Sequence, residues 1–169
     1  MIQPKGVHHL ALVCSDMDRT VRFYTEVLGM KLTAKLSIRG GAKHFFFDMG
    51  GDNQLAFFWF PEAPAAQPGI GNAGISQFTS AHASMHHVAF TVENEDKLWE
   101  AWDTLTENGV ESMWALDHDF CKSIYFRDPD GILLEFSAWV RPLDEREMDD
   151  SRPTRATPIT RPVAVPAGF

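Results

Sequence analysis

Two histidines and one glutamate stand at matching places in two similar stretches of the chain. His9 opens the apolar stretch 9–13, and His87 opens a second such stretch at an offset of 78 residues (87 − 9). Glu135 follows His87 by 48 residues, and Phe57 follows His9 by the same interval. Two imidazoles and one carboxylate suit Fe(II), with Mn(II) as a substitute, and leave about three positions open on an octahedral metal. The spacing therefore predicts a metal site of His9, His87 and Glu135, which the phenyl ring at position 57 leaves open.

Each of these histidines has a histidine neighbour, so the spacing alone does not choose the ligands. His8 and His86 also precede apolar stretches. We prefer His9 and His87 because strand alternation puts them beside small residues, which leaves room for a metal. These small residues are Ala11, Ala89 and Thr91. The alternative is that both are ordinary strand histidines and that Glu135 is a solvated sheet residue, but the repetition favours the metal site.

The elements that must position these side chains repeat as well. Hydrophobic periods and turn residues predict a strand, a helix and three strands in residues 5–60, and the same order in residues 85–140. Ser15 is predicted to cap the first helix and Asn94 the second. The duplication predicts an α+β fold of two tandem βαβββ modules, whose curved sheets surround a shared metal cavity.

Two further segments have a different character. Residues 61–84 are rich in Pro, Gly, Ala, Ser and Asn without a sustained period, which predicts a linker or a lid. Residues 141–169 hold five prolines among mixed charges, which predicts an extended arm without a core of its own. Such an arm is either disordered or laid over a partner subunit. We therefore expect a single domain over residues 1–140 followed by this arm.

The composition excludes several classes of partner. The 169 residues are 44% hydrophobic and 22% charged, as in ordinary globular proteins. A net charge of −8 and a pI near 5.3 argue against nucleic acid or an anionic membrane as the main partner. The sequence has no long apolar run, and its two cysteines form no CxxC pattern. We expect a cytoplasmic protein that binds a small molecule.

The aromatic run 57–60 bears on the shape of that small molecule. If position 57 faces the cavity, strand alternation brings Trp59 with Phe57, and both line the substrate pocket. An aromatic-lined pocket suits a flat ring better than a sugar or a peptide. The alternative is core packing, which we favour for Phe58, Phe60 and Phe46.

Several motifs occur in a characteristic order along the chain. They are His9-Leu-Ala-Leu-Val, Phe23-Tyr24, Val27-Leu28-Gly29, His87-Val-Ala-Phe-Thr-Val, Tyr125, and Asp128-Pro129-Asp130-Gly131 with Glu135. Over about residues 5–140 this order resembles the vicinal oxygen chelate superfamily, which includes glyoxalase I, extradiol ring-cleaving dioxygenases, methylmalonyl-CoA epimerase and fosfomycin-resistance transferases. The resemblance implies a divalent metal, bidentate binding of substrate oxygens to it, and a homodimer.

Within that superfamily the residues around Glu135 resemble those of type I extradiol dioxygenases. These enzymes carry a catalytic tyrosine ten residues before the glutamate, where this chain has Tyr125. Their acid–base histidine position is occupied by Leu116, so His118 is the candidate for that role. The resemblance implies an Fe(II) enzyme that uses O2 on a catechol-like or other vicinal-oxygen substrate, with Mn(II), Zn(II) or Ni(II) as possible replacements for the iron.

Two other functions stay open at this point. The first is a glyoxalase-like metal-dependent lyase, isomerase or epimerase, although such lyases usually carry an acid or amide at the position of Phe57. The second is a non-catalytic protein that binds aromatic drugs and needs no metal. Tyr125 could equally be a core aromatic and His118 a surface histidine. His44 and His82 have no assigned role.

Overall fold

The computed structural model describes residues 3–62, 85–148, 151 and 156–162. The described helices are α1 (Met17–Arg22), which continues as a π-helical segment (Phe23–Val27), and α2 (Glu95–Glu107), with 3-10 turns at Arg39–Gly41 and Glu145–Met148. The described strands are β1 (His9–Val13), β2 (Leu32–Ser37), β3 (Lys43–Gly50), β4 (Asn53–Trp59), β5 (Val88–Thr91), β6 (Trp114–Asp117), β7 (Cys121–Arg127), β8 (Leu133–Trp139) and β9 (Thr157–Pro158). No helix in these ranges is long and apolar enough to cross a membrane.

The strands form two sheets with the same internal order. The first sheet runs β1-β4-β3-β2, and the second runs β5-β8-β7-β6-β9. In the first sheet β1 pairs in parallel with β4, while β3 is antiparallel to both of its neighbours. Each sheet thus places the last strand of a βαβββ unit beside the first, which confirms the two modules predicted from the repeated spacing.

By its internal contacts the chain divides into two compact units. Unit 1 comprises residues 1–88 together with 127–133, and unit 2 comprises residues 89–126 together with 134–169. The predicted linker lies outside the described residues except for its first two positions, and His82 lies outside them as well. Because residues 127–133 belong to unit 1, the turn between β7 and β8 is part of the unit that contains the first module.

The helix starts follow the sequence prediction at one of two positions. Asn94 caps α2, since its side chain accepts a hydrogen bond from the backbone N–H of Lys97 at 3.0 Å. At α1 the cap is Asp16, which accepts from the Arg19 N–H at 2.9 Å, whereas Ser15 was predicted. The difference arises because the Ser15 hydroxyl and backbone N–H both donate to Asp130, so this serine ties the helix start to the β7–β8 turn.

Two buried carboxylates hold that turn in place. Asp128 Oδ1 accepts the backbone N–H groups of Asp130 and Ile132 at 2.9 and 2.8 Å, and the hydroxyl of Tyr24 donates to Oδ2 at 3.2 Å. Asp130 accepts from Arg19 at 2.6 Å in addition to Ser15. Burial raises the pKa of Asp128 to about 6 although its two backbone hydrogen bonds act in the opposite direction.

We predict that Asp128→Asn alters how the stability of the protein depends on pH. Asp128 has a higher pKa in the folded state than in the unfolded state, so the folded protein holds more protons between about pH 4 and pH 6. Its contribution to the free energy of unfolding therefore falls as pH rises through this window, by about 2 to 3 kcal/mol, and is constant above it. Urea unfolding of both proteins at pH 4 and pH 7 measures this change.

The exposed Asp18, in the first turn of α1, provides the control for that experiment. Asp18→Asn should keep the wild-type pH dependence, whereas Asp128→Asn should flatten it. An unchanged pH dependence in Asp128→Asn would show that the Asp128 carboxyl does not titrate in this window.

The C-terminal arm makes contacts within its own chain. β9 pairs antiparallel with β6, Pro158 standing opposite Leu116, and the backbone N–H of Ile159 donates to the Ala115 carbonyl at 3.1 Å. Arg161 forms an ion pair with Asp103 of α2. In its described part the arm is thus an added strand of unit 2, and it covers an edge that would otherwise present unpaired backbone groups.

Candidate metal centre

His9 stands on the more exposed face of β1. His9 and Ala11 are exposed while Leu12, one residue on, is buried, as strand alternation requires. The Nδ1 atoms of His8 and His9 lie 2.9 Å apart. His9, the first predicted ligand, thus shares its face with the small residue Ala11, as expected. Its ring is held next to that of His8, the other histidine of the pair.

His87 repeats this arrangement directly before β5. His87 is half-buried and Ala89 is exposed, whereas the alternate residues Val88 and Phe90 are buried. The Nδ1 atoms of His86 and His87 lie 2.7 Å apart. Hydrogen bonds to the second ring nitrogen commonly fix the orientation of metal-binding histidines, so both members of each pair remain chemically suitable.

Glu135 lies in the middle of β8 and is nearly covered. Its residue is only 5% exposed. Phe136 packs on the opposite side of the strand, with its ring centroid 5.1 Å from that of Phe126 and 6.0 Å from that of Phe90. A carboxylate buried to this extent is stable only among polar or cationic groups.

The groups beside Glu135 within unit 2 include a phenol and an imidazole. Tyr125 OH lies 3.0 Å from Nε2 of His118, and the ring of Trp114 stacks on the Tyr125 ring at 5.3 Å and 13°. Burial, and next the negative charge of Glu135, raises the pKa of Tyr125 to about 12. The structure thus places His118 beside Tyr125 and puts Tyr125 within the electrostatic influence of Glu135, while the catalytic roles that the resemblance implies for Tyr125 and His118 stay predictions.

Phe57 occupies a different place from the one expected. In the first sheet Leu12 pairs with Phe57, and Ala11 pairs with Ala56. Phe57 is fully buried on the Leu12 side, with its ring 4.9 Å from that of Tyr24. The residue on the His9 side of β4 is therefore Ala56, 47 residues after His9, because the first module is one residue shorter here and a one-residue shift changes the face.

Trp59 shares the face of Phe57, so it too differs from the expected pocket lining. Its indole N–H donates to the carbonyl of Ser15 at 3.1 Å, and Lys43 Nζ lies 5.1 Å from its ring. Neither an alanine methyl group nor a phenyl ring can bind a metal. Neither Ala56 nor Phe57 of β4 can therefore supply a fourth ligand.

The aromatic rings on the His9 side of the first sheet are those of Phe46 and Phe58, for which core packing was expected from the sequence. Phe46 pairs with Ala56, and its ring lies 5.9 Å from that of His9. His44 pairs with Phe58, and these two rings stack at 3.6 Å. The pairing of β1 with β4, and of β4 with β3, identifies the residues that share the face of His9.

The donor set matches a divalent metal in chemical type, since imidazole and carboxylate are the ligands of Fe, Mn and Zn sites. His9 and His87 belong to unit 1, and Glu135 belongs to unit 2. Among the residues that the structure describes, no three His, Cys, Asp or Glu side chains are grouped so that they could hold a metal ion. The convergence of the three predicted ligands therefore stays a prediction.

Two βαβββ modules, each opened by a histidine, define the class of fold to which the chain belongs. The family model described as the glyoxalase/bleomycin resistance protein/dioxygenase superfamily matches residues 6–136. The chain belongs to this superfamily, which confirms the resemblance found in its motifs.

Two curated relatives and one solved structure illustrate this membership. The metallothiol transferase FosB of Shouchella clausii is 35% identical over 133 residues, which cover 77% of each chain. The uncharacterized protein YwkD of Bacillus subtilis is 30% identical over 135 residues, 78% of this chain and 94% of that protein. The crystal structure of a domain of this superfamily from Frankia sp. has a TM-score of 0.66 at 21% identity, over 81% of this chain and 99% of that one, and so shows the same fold.

Proposed function

We propose that the protein is an Fe(II)-dependent dioxygenase of the extradiol type, acting on a catechol-like small molecule. The observation that supports this best is the contact of Tyr125 with His118 beside Glu135. His9, His87 and Glu135 hold the metal in this proposal. When bound, a divalent metal lowers the pKa of coordinated hydroxyl groups and brings two reactants together.

The protein's own groups handle the protons of the reaction. The Tyr125 hydroxyl hydrogen-bonds a substrate oxygen, and His118 Nε2, 3.0 Å behind it, exchanges a proton with that hydroxyl. A catechol must lose protons before its ring opens, so a phenol–imidazole pair beside the metal-binding carboxylate suits this chemistry better than a purely structural contact.

The ring of Trp114 supports an aromatic substrate. It lies nearly parallel to the Tyr125 ring, and Trp114 is 39% exposed, so part of this aromatic pair is accessible in unit 2. Offset stacking against such a face favours flat rings over sugars or peptides. A homodimer and a cytoplasmic location also remain predictions.

We predict that Tyr125→Phe lowers kcat/KM for oxygen consumption by about 100-fold or more, because it removes the hydroxyl and keeps the stacked ring. The protein is purified without oxygen, loaded with Fe(II), and given a panel of catechols, and oxygen uptake is followed with one O2 consumed per ring opened. Absence of uptake with any catechol in the iron-loaded wild-type protein would overturn the dioxygenase proposal.

Tyr24→Phe is the matched control, since Tyr24 and Tyr125 are the two tyrosines of the chain. It removes a buried hydroxyl that donates to Asp128, so it should reduce the free energy of unfolding by about 1 to 2 kcal/mol. It should leave kcat/KM of the folded protein unchanged, because this hydroxyl lies in the core of unit 1.

A second candidate is metal-dependent transfer of a thiol, favoured by the 35% identity to a metallothiol transferase. A phosphonate substrate such as fosfomycin needs free cations around it. In the described part of unit 2 every lysine and arginine already lies in an ion pair: Lys97, Lys122, Arg141, Arg146 and Arg161. Thiol consumption with fosfomycin and Mn(II), in the absence of oxygen uptake with catechols, would favour this candidate.

A further inference from the structure

The β6–β7 loop, residues 118–120, carries His118 outside the paired parts of the two strands. The backbone N–H of His118 donates to the Cys121 carbonyl at 2.8 Å. Its Nε2 atom lies 3.0 Å from the hydroxyl oxygen of Tyr125, which is buried within β7. A side chain on a loop keeps such a geometry only where further contacts hold that loop in place. The persistence of the phenol–imidazole pair therefore depends on what the loop contacts.

The start of the C-terminal arm holds this loop by its backbone and by one guanidinium group. The carbonyl of Phe120 accepts the backbone N–H groups of Val140 and Arg141 at 2.9 and 3.2 Å. Nη2 of Arg141 donates to Oδ2 of Asp119 at 2.5 Å. The two residues that follow His118 are thus both tied to the first residues after β8.

The arm in turn fixes the guanidinium group of Arg141. Its Nη1 and Nη2 atoms donate to the two carboxylate oxygens of Glu147 at 3.1 and 2.7 Å, and Nη1 also donates to the Pro142 carbonyl at 3.1 Å. Glu147 belongs to the 3-10 turn Glu145–Met148. A guanidinium group paired in this two-pronged way has little freedom to turn, because its donors form a rigid planar fork. The arm therefore presents Arg141 to Asp119 in a defined orientation.

We propose that Arg141 is a positioning residue for the proposed reaction. It holds Asp119, and through it the β6–β7 loop, so that His118 Nε2 stays within hydrogen-bonding distance of the Tyr125 hydroxyl. The proton-transfer role of this pair rests on the proposed function, whereas the position of the imidazole can be measured without turnover. The C-terminal arm thereby contributes to the site through one side chain.

Nitrogen NMR of the full-length protein, labelled at its histidines and kept in diamagnetic Zn(II), measures that position. His118→Gln identifies the His118 signal, and Tyr125→Phe shows how its Nε2 shift changes when the contact is lost. Arg141→Met should move the Nε2 shift toward its Tyr125→Phe value, because methionine keeps the aliphatic stem and removes the donors. Arg141→Lys, which keeps the charge, should move it less.

Asp119→Asn separates positioning from general stability. It leaves the pair of Arg141 with Glu147 intact, and asparagine accepts the positive φ of 72° at this position. The Asp119 side chain is 71% exposed, and an ion pair at such a side chain adds little to stability, so the Tm should change by less than about 2 °C. The Nε2 shift should nevertheless move as in Arg141→Met.

Arg161→Met is the matched control for the arm. It removes an arginine–aspartate ion pair of the same unit, between Arg161 and Asp103, without a printed contact to the β6–β7 loop being lost. Its Nε2 shift should equal that of the wild-type protein.

Oxygen uptake by the Fe(II)-loaded protein with a catechol gives the second measurement. Arg141→Met should lower kcat about fivefold to 50-fold and change KM by less than about twofold, because a small misplacement of a catalytic group costs up to about 100-fold. Arg141→Lys should recover part of this loss. Adding Asp119→Asn to Arg141→Met should cause little further loss, since both remove the same contact.

Three results would overturn the positioning role. They are a wild-type Nε2 shift in Arg141→Met or in Asp119→Asn, an Nε2 shift that Tyr125→Phe does not change, and an equal change in Arg161→Met. The expected shifts in a protein that consumes no oxygen with any catechol would support the positioning of His118 and overturn the dioxygenase proposal.

Discussion

Replacing Glu135 with alanine is expected to weaken the binding of Fe(II) or Mn(II) by at least about 100-fold, since even outer-shell partners of metal ligands are worth 10- to 100-fold. Glu135 supplies the only carboxylate of the proposed ligand set. Metal analysis after anaerobic dialysis and titration calorimetry with Mn(II) measure the effect directly. Oxygen uptake with catechols should be lost in parallel.

Glu107→Ala provides the control for this experiment. Glu107 is an exposed glutamate at the end of α2 in the same unit, so its loss should change neither metal content nor activity. Glu135→Gln, which keeps the size of the buried side chain, tests whether any loss comes from misfolding. Stoichiometric metal in a folded Glu135→Ala protein would refute the ligand set.

Replacing Phe57 with alanine is expected to have the largest effect on stability. Phe57 is fully buried against Tyr24 and Phe47, and removal of such a ring costs about 3 to 5 kcal/mol. Urea unfolding measures the loss. The folded fraction should bind the metal and catechols with wild-type affinity, because the Phe57 ring lies on the face opposite His9.

Phe58→Ala is the matched comparison, one residue along the same strand on the other face. Phe58 is half-buried and stacks on His44, so its removal should cost less than about 2 kcal/mol. It should weaken the binding of catechol probes, whereas Phe57→Ala should not. The opposite pattern would place the pocket on the Phe57 side and restore the expectation drawn from the spacing alone.

The sequence predicted the module order and the faces of the first strands because both depend on local patterns. His9 and His87 each begin a short apolar stretch with strict alternation, and the burial of Leu12 and Val88 follows this alternation. The cap at Asn94 was equally local. The contact between Tyr125 and His118 was not predicted, because the resemblance marked each residue only as a separate candidate and periodicity does not bring them together.

The positions that differ are those that depend on long-range register. The face of Phe57 is set by the pairing of β4 with β1, and one residue fewer in the intervening segments was enough to reverse it. Ser15 was assigned to the helix cap because the sequence does not show that Asp130, 115 residues later, binds its hydroxyl and its N–H. The pairing of β9 with β6 involves an edge strand whose sequence has no alternation long enough to reveal it.

The discontinuity of unit 1 has a consequence for how the chain folds during translation. Asp128 and Asp130 are the buried hydrogen-bond acceptors of Tyr24, Ser15 and Arg19. Both carboxylates leave the ribosome more than 100 residues after these donors. A nascent chain that ends before this turn leaves those donors without their carboxylates, so the first module cannot reach its final stability during its own synthesis. The amino-terminal half therefore reaches its final stability only after most of the carboxyl-terminal half has been synthesised.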